Sequence, residues 1–436
     1  MKEQTTKLGK NYWKLWTAHA TSNLGDGLAS VAFPWLASAV TREPFLIALI
    51  AVMSRLPWLV FTLPAGVITD RYDRKKIIVA MNFLQGILAL VLALTLLVEA
   101  NSLPSLDNLA NSVNFETNYF LYFSLLFISL LFGFTEVLRD NAGQTFLPSV
   151  VEKENLESAN GKLWSVEYLA NSFIGPPISS FLLGVSIFLP FFIHSSTFFI
   201  AAALVGLITR INAEEVREKK SSINFRAEIR EGFTWLWSHS LLRPMAIILG
   251  SMNLIGAITA ATFILFAQEI LETSVFEFAI LGTAGAVGGT LGGVLGPKIS
   301  KKLGSGRSLY LTLMILPATA LLIGLSSNWL VVWAMIFCAT IFAVLWNVIT
   351  VSLRQSIIPS ELLGRVNSVY RFFAWGSMPI GTLIGGAIVS LSETFLNRDL
   401  ALRMPYFANF ILGIAIFIFA VPLLTTEKIE KARTNS

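Results

Sequence analysis

Twelve stretches of this chain are continuously apolar over about twenty residues each, the length an α-helix needs to cross a hydrocarbon core. They fall at roughly 15–40, 45–65, 77–98, 119–138, 163–185, 187–209, 244–267, 276–297, 308–326, 329–351, 366–391 and 403–424. The runs lack the in–out alternation of a transmembrane β-barrel, so that class is excluded. Composition agrees: 54% of the 436 residues are hydrophobic and 14% are charged, whereas a soluble domain carries about 25% charged residues. The expected fold is an all-α membrane protein with 12 transmembrane helices in two pseudo-symmetric six-helix halves.

The net charge of +5 follows topology rather than a nucleic-acid surface. An even number of crossings puts both termini on one side. Of the 32 Lys and Arg, only Arg42, Arg55, Arg398 and Arg403 fall on the opposite side or within the membrane, so the positive-inside rule makes the terminus side cytoplasmic. The single cysteine, Cys338, excludes an intrachain disulfide and argues against a metal cluster. The basic N-terminal stretch has no small-residue cleavage site and reads as the lead into helix 1.

Residues 1–210 read as the first six-helix half, 211–243 as a cytoplasmic linker, and 244–436 as the second half. Within the linker Phe225, Ile229, Phe233 and Leu236 recur at helical spacing, with Arg226, Arg230 and Glu231 between them. This is an amphipathic helix, either lying on the inner membrane surface or solvated. The halves echo each other: Gln144–Ser149 and Gln355–Ser360 both read Gln-x-x-x-Pro-Ser after an apolar run, and Gly-Val recurs at Gly66 and Gly293. Paired six-helix halves around a midplane site are a transporter architecture. The glycine-rich stretch 281–297 has no preceding strand and no Gly-Lys-Ser/Thr. Its row of Gly285, Gly289 and Gly293 reads as a helix-packing ridge, not a nucleotide loop.

The densest charge cluster lies between apolar runs 2 and 3, where "AGVITDRYDRKKIIVA" places Asp70, Arg71, Asp73, Arg74, Lys75 and Lys76. Gly66, Asp70, Arg71, Arg74 and Lys75 resemble the loop signature of the major facilitator superfamily, while Asp73 stands where most members have glycine. The Asp-Arg-x-Asp-Arg form looks like the macrolide-efflux branch of drug:proton antiporters with twelve helices. Stretches 23–36, 54–66, 146–161 and 230–243 are similar to that branch as well. The resemblance implies a bacterial cytoplasmic (inner) membrane protein. It also implies that Asp70 is a conformational latch against the start of helix 11, near Leu363 to Asn367. Gly66 would allow close helix approach, and Glu136 and Arg139, at the end of helix 4, would extend the latch into a charge network. The basic residues of the turn are equally explained by topology; Asp70 is not.

Helix 5 carries Gly175-Pro176-Pro177-Ile178-Ser179-Ser180. This resembles the antiporter signature Gly-Pro-x-x-Gly-Gly with both later glycines replaced by serine, and so points to export. Ionisable groups are costly in lipid, which makes each one a functional candidate. Asp26 in helix 1 and Arg55 in helix 2 are expected to pair near the midplane and to couple transport to protons. Glu167 and Arg371, shallower in helices 5 and 11, are further proton-coupling candidates. Asn23, Asn171 and Asn253, with Trp35, Trp58, Phe263, Trp346 and Trp375, are candidates for lining a substrate cavity.

The function read from these features is secondary active export of a hydrophobic or amphiphilic small molecule by proton antiport and alternating access. A facilitator or importer of a metabolite or lysolipid is the alternative. A polytopic membrane enzyme is a remote one, because His19, His194 and His239 are scattered and no acidic membrane-edge motif is present. No cofactor is expected. The expected partners are the substrate, protons and the lipid bilayer, and a monomer suffices because one chain holds both halves.

Overall fold

Prolines, capping residues and buried charges decide where the apolar runs begin, break and end. The computed structural model describes residues 8–104, 109, 115–152, 155–209, 225–359 and 362–434. The side chains of Leu63, Val67, Asp70, Glu157, Phe225, Arg226, Glu228, Arg433 and Thr434 fall outside the description. The helices of the first half are α1 (Lys10–Val40), α2 (Pro44–Val60), α3 (Thr62–Arg71), α4 (Arg74–Val98), α5 (Tyr119–Phe146), α6 (Leu156–Tyr168), α7 (Gly175–Val185) and α8 (Leu189–Gly206). After α9 (Phe225–Ser238) come α10 (Leu242–Ala260), α11 (Phe263–Glu269), α12 (Val275–Leu303), α13 (Ser305–Leu325), α14 (Trp329–Ile357), α15 (Leu363–Gly376), α16 (Met378–Ser392), α17 (Arg398–Ala420) and α18 (Thr426–Thr434).

Among the described residues nine helices are long and apolar enough to cross a membrane. Three further rods, namely α1, α2 with α3, and α6 with α7, complete the twelve. These rods carry His19 and Asp26, Arg55, and Glu167 respectively. α2 is apolar but short, ending before α3, and the α6–α7 rod is interrupted by a π-helical turn at Leu169–Ile174. By contacts the chain forms two compact units. One comprises Met1–Arg42, Met53–Lys219 and Ser274–Ile280; the other comprises Glu43–Val52, Lys220–Thr273 and Leu281–Ser436.

The charged turn has a local explanation that topology alone lacks. Asp73 is the N-cap of α4, its Oδ1 accepting the Lys76 backbone N–H at 3.2 Å. It satisfies one of the orphan donors of the helix start. Arg74 donates to the Thr145 carbonyl at 3.0 Å and Lys75 to the Ile208 carbonyl at 2.8 Å. Both cations therefore sit at helix C-terminal ends, where the dipole favours them. Asp73→Ala is expected to cost about 1 kcal/mol, and Asp73→Gly, the residue usual in the family signature, only a few tenths; denaturation in detergent would measure the difference. At Gly66 a Cβ would meet nothing within 4 Å. The close-approach role expected of Gly66 therefore has no counterpart within its own unit.

The repeat is sharper in three dimensions. α5 ends at Phe146 and α14 at Ile357, with Pro148 and Pro359 following at once, as proline does after a helix end. Helices 5 and 11 also share Pro177-Ile178-Ser179 and Pro379-Ile380-Gly381. Ser179 Oγ donates to the Leu28 carbonyl of α1 at 2.7 Å, while a Cβ on Gly381 would strike the Leu254 carbonyl of α10. Each sequence half thus seats a small residue after Pro-Ile against the backbone of its first long apolar helix. The α12 ridge runs one row over from the expected one. Gly288 and Gly292 press on the α14 carbonyls of Phe337 and Ile341, whereas Gly293 faces open space. Both rows have a four-residue spacing, and only packing against α14 decides between them.

The linker helix has a protein partner within its own unit. α9 docks on α15: a Cβ at Gly232 would lie 2.7 Å from Arg365 backbone atoms, and Leu236, 1% exposed, joins a core with Met245, Trp346, Val366 and Tyr370. Phe233 and Trp237 stack on each other and on Phe373, and Glu231 pairs with Arg365 at 2.5 Å. Phe225 and Arg226 lie outside the described side chains. Gly232→Val is expected to lever α9 off α15 and to raise protease cleavage within 225–238 several-fold. An unchanged digestion rate would argue against docking in solution.

His239 closes the turn into α10, its Nδ1 accepting the backbone N–H groups of Leu241 and Leu242 at 3.2 Å each. Burial pushes its pKa below the usual 6.5, as the acceptor role requires. Protonation is thus disfavoured in the folded state, and the contribution to stability is full above about pH 6.5 and lost as pH falls below it. His239→Asn retains a capping acceptor and should flatten stability between about pH 7.5 and 5.5.

Candidate charge cluster in the first half

Helix 4 is longer than its hydropathy suggests. The apolar run stops near residue 138, but α5 continues to Phe146 within a spanning stretch that reaches Ser149. Glu136 and Arg139, expected at the helix end, are therefore inside it. Asp26 lies near the midpoint of α1 and accepts a hydrogen bond from Arg139 Nη2 at 3.1 Å. Their side chains are 24% and 12% exposed. The expected Asp26–Arg55 pair does not form. Neighbouring helices place side chains together only when their faces match, and the face of α1 bearing Asp26 meets α5.

Arg139 is the centre of the cluster. Its Nη1 donates to Gln85 Oε1 on α4 at 3.2 Å, and its Nε lies 3.4 Å from Asp140 Oδ1. The guanidinium sits over the Phe198 ring of α8 at 5.2 Å, the favoured side of an aromatic quadrupole. One turn earlier, Glu136 Oε2 accepts from Trp58 Nε1 at 3.3 Å. Trp58 is therefore tied to an acid through its indole N–H. Arg55 is exposed, and among the described residues it makes no salt bridge; its field acts on Glu136. A Cβ at Gly133 would be only 2.8 Å from Pro57, so glycine is what lets α2 approach α5 at this level.

Glu167 is deeper than expected because α6 starts at Leu156. It pairs with His19 of α1 at 3.1 Å, both half-buried. Just beyond, Leu169–Ile174 forms a π-helical turn that ends at Gly175. Pro176 and Pro177 have no N–H to donate, so the ladder widens before them. Gly175 and Gly27 then meet backbone to backbone, a Gly175 Cβ falling 2.6 Å from Gly27 Cα. Gly175 and Pro176 are buried in this contact, with Asn171 in the π turn. The signature-like stretch thus builds the closest α1–α7 crossing beside the charges.

The remaining candidates disperse. Asn23 donates to the His19 carbonyl of its own helix at 2.9 Å, and Asn253 to the Ala374 carbonyl at 2.7 Å; both bond to helix backbone. Trp346 is 1% exposed and belongs to the second-half core. Trp35 is buried edge-on to Phe278, and Phe263 begins α11, partly buried. Arg371 lies over the exposed Trp375 ring at 5.0 Å. Arg71 is exposed at the end of α3, and the Asp70 side chain lies outside the described residues. Gln85, His19 and Asp140 were not singled out by sequence reasoning. The Glu-x-x-Arg-Asp spacing of Glu136, Arg139 and Asp140 on one helical face was the available signal.

Charges of both signs held inside a polytopic helical fold mark a functional site within its membrane segments. The Major Facilitator Superfamily model matches residues 15–382, and the chain belongs to that family. The multidrug efflux pump Tap of Mycolicibacterium fortuitum is 24% identical over 405 residues, covering 89% of this chain and 92% of Tap. The enterobactin exporter EntS of Shigella boydii serotype 4 (strain Sb227) is 22% identical over 403 residues, covering 91% and 88%. The crystal structure of the nucleoside transporter NupG superposes with a TM-score of 0.71 at 10% identity, covering 94% of this chain and all of NupG. That likeness shows the fold.

Proposed function

We propose that this transporter is a proton antiporter that exports a hydrophobic or amphiphilic small molecule by alternating access. It would act as a monomer in a bacterial cytoplasmic membrane with both termini cytoplasmic. The observation that carries the reading is the cluster around Arg139: Asp26 and Asp140 contact one buried guanidinium, and Glu136 stands one turn earlier on the same helix. A low-dielectric interior does not hold uncompensated charge, so a site with more acids than buried bases reaches neutrality by taking a proton. A proton arriving at Asp26 cancels its attraction to Arg139 and frees α1 from α5 at that level. Losing it restores the pair. The relatives named as an efflux pump and an exporter support the outward direction.

The test uses inverted vesicles from a host lacking its own pumps, with ethidium as probe. An imposed inside-acid gradient should drive ethidium accumulation, and collapsing the gradient should release it. Accumulation indifferent to the gradient would be the behaviour of a facilitator and would end the antiport reading. Asp70 keeps its expected role of latch: Asp70→Asn should slow turnover and increase labelling of cysteines introduced on the inward-facing side. Unchanged labelling would count against it.

A further inference from the structure

The arginines of the second unit are not all matched by acids. Glu231 pairs with Arg365, Glu269 and Glu393 with Arg398, and Asp399 with Arg403. Arg354 makes no salt bridge among the described residues, although it stands within the spanning stretch Trp329–Ile357. Its guanidinium lies over the ring of Tyr370 in α15, 3.8 Å from the centroid. An approach that short crosses the face of the ring, and the Tyr370 hydroxyl lies in the ring plane. That hydroxyl and Arg354 Nε are both buried without a hydrogen-bond partner. Two more side chains of α14 share the condition, Thr350 at Oγ1 and Trp346 at Nε1. Trp346, Thr350 and Arg354 recur every four residues, which puts them on one stripe of the helix about 12 Å long. Trp346 and Tyr370 belong to an apolar core with Ile349, Leu353, Val366 and Val369.

A helix dipole favours a cation in its last turn, and Arg354 is in the last turn of α14. That explains a basic residue at this end of the helix. It does not explain an Nε buried against an aromatic face with no counter-charge. Ionised groups inside membrane proteins are almost always paired, and a cation–π contact offsets only part of the desolvation. Buried polar atoms without partners are few in folded proteins, so a stripe of them is a site with one component missing. What the stripe can give defines that component. A guanidinium and an indole N–H donate and do not accept, and the Tyr370 and Thr350 hydroxyls can donate as well. The group that answers them accepts hydrogen bonds and carries negative charge. We propose that α14 and α15 hold a binding site for an anionic oxygen group, such as a carboxylate, phosphate or sulfonate, with Arg354 as its counter-ion and Tyr370 as the next donor. Arg354 is half-buried, and Gln355 and Ser356 beside it are exposed, so the group enters at the Ile357 end of α14. Thr350 and Trp346, one and two turns further in, are enclosed and become donors only when α15 moves off α14. The anion belongs either to a membrane phospholipid or to a free solute. The site shares no residue with the Asp26–Arg139 cluster, and its test reads binding, so it stands independently of proton antiport.

The experiment compares 2-naphthoate with 2-naphthamide, bodies of similar shape of which only the first is charged. Binding to the purified transporter in phosphatidylcholine nanodiscs is followed by equilibrium dialysis. Naphthoate should bind saturably and about tenfold more tightly than the amide, the value of one charge-assisted hydrogen bond. Arg354→Gln should bring the two probes to within about twofold, whereas Arg354→Lys, which keeps the charge, should retain part of the preference. Tyr370→Phe should weaken naphthoate several-fold and leave the amide unchanged. Naphthoate should also raise the melting temperature of the wild type and not that of Arg354→Gln, a difference that a purely structural arginine would not produce. Native mass spectrometry separates the sources. An anionic phospholipid retained by the wild type through purification and lost in Arg354→Gln identifies a membrane occupant; naphthoate binding to wild type with no such lipid identifies a free solute. Equal binding of the two probes to wild type, as a stripe answered only by water would give, or naphthoate binding unchanged in a correctly folded Arg354→Gln, would overturn the proposal.

Discussion

Asp26→Asn is expected to abolish gradient-driven export, by at least about a hundredfold, while the protein still reaches the membrane. The substitution keeps the shape of the side chain and a hydrogen-bond acceptor for Arg139 Nη2, which now lies 3.1 Å from Asp26 Oδ2. It removes the ability to exchange a proton for that contact. Arg139→Gln should fail differently. It leaves Asp26, Asp140 and Glu136 together without their cation, and removing one partner of a buried pair costs about 3–5 kcal/mol. Thermal stability and yield should therefore fall along with transport. The double variant Asp26→Asn/Arg139→Gln should recover stability relative to Arg139→Gln alone, and it should remain inactive. Comparable stability in all three would mean that the pair carries no structural coupling.

The second large effect is expected at the opposite end of the second half. Arg398 donates from Nε and Nη2 to both oxygens of Glu269, at 2.6 and 2.9 Å, and from Nη1 to Glu393 at 2.6 Å. Glu269 is 6% exposed. The bidentate fork joins the end of α11 to the start of α17 and, through Glu393, to the end of α16. Burial raises the Glu393 pKa even beside this guanidinium. Arg398→Ala removes the bidentate fork from the buried Glu269 and should cost about 3–5 kcal/mol, seen as a large drop in melting temperature in detergent. Arg398→Met with Glu269→Leu replaces the pair by apolar side chains of similar volume and should restore most of the loss. An unstable double variant would locate the contribution in geometry rather than in the buried charge.

The fold was legible because twelve apolar runs leave few alternatives, and the helix termini follow from proline and capping residues. What escaped sequence reasoning has identifiable physical causes. A hydropathy window ends a helix where charge begins, so Glu136 and Arg139 were placed at an end although α5 runs on to Phe146. Their charges are tolerated in the interior because Asp26, Gln85, Trp58 and Phe198 meet them there. Asp26 was found on burial cost alone, but its partner was not, because adjacency in sequence says nothing about which helix face meets which. The same limit explains the glycine row of α12. The apolar stripe of α9 was visible, yet its acceptor surface on α15 is assembled from distant sequence. α18 was missed because its short length and charge resemble a solvated tail, although Ile429 is fully buried and Glu430 reaches Ser305 at 3.3 Å.

The exchange of a proton for substrate is tested most directly in proteoliposomes carrying a trapped pH dye and no imposed pH gradient. Adding ethidium to load one side should drive proton movement in the opposite direction through the wild-type transporter. Asp26→Asn should show none while still binding ethidium. Ethidium flux through wild type without any proton movement, or proton movement undiminished in Asp26→Asn, would contradict coupling through the Asp26–Arg139 pair.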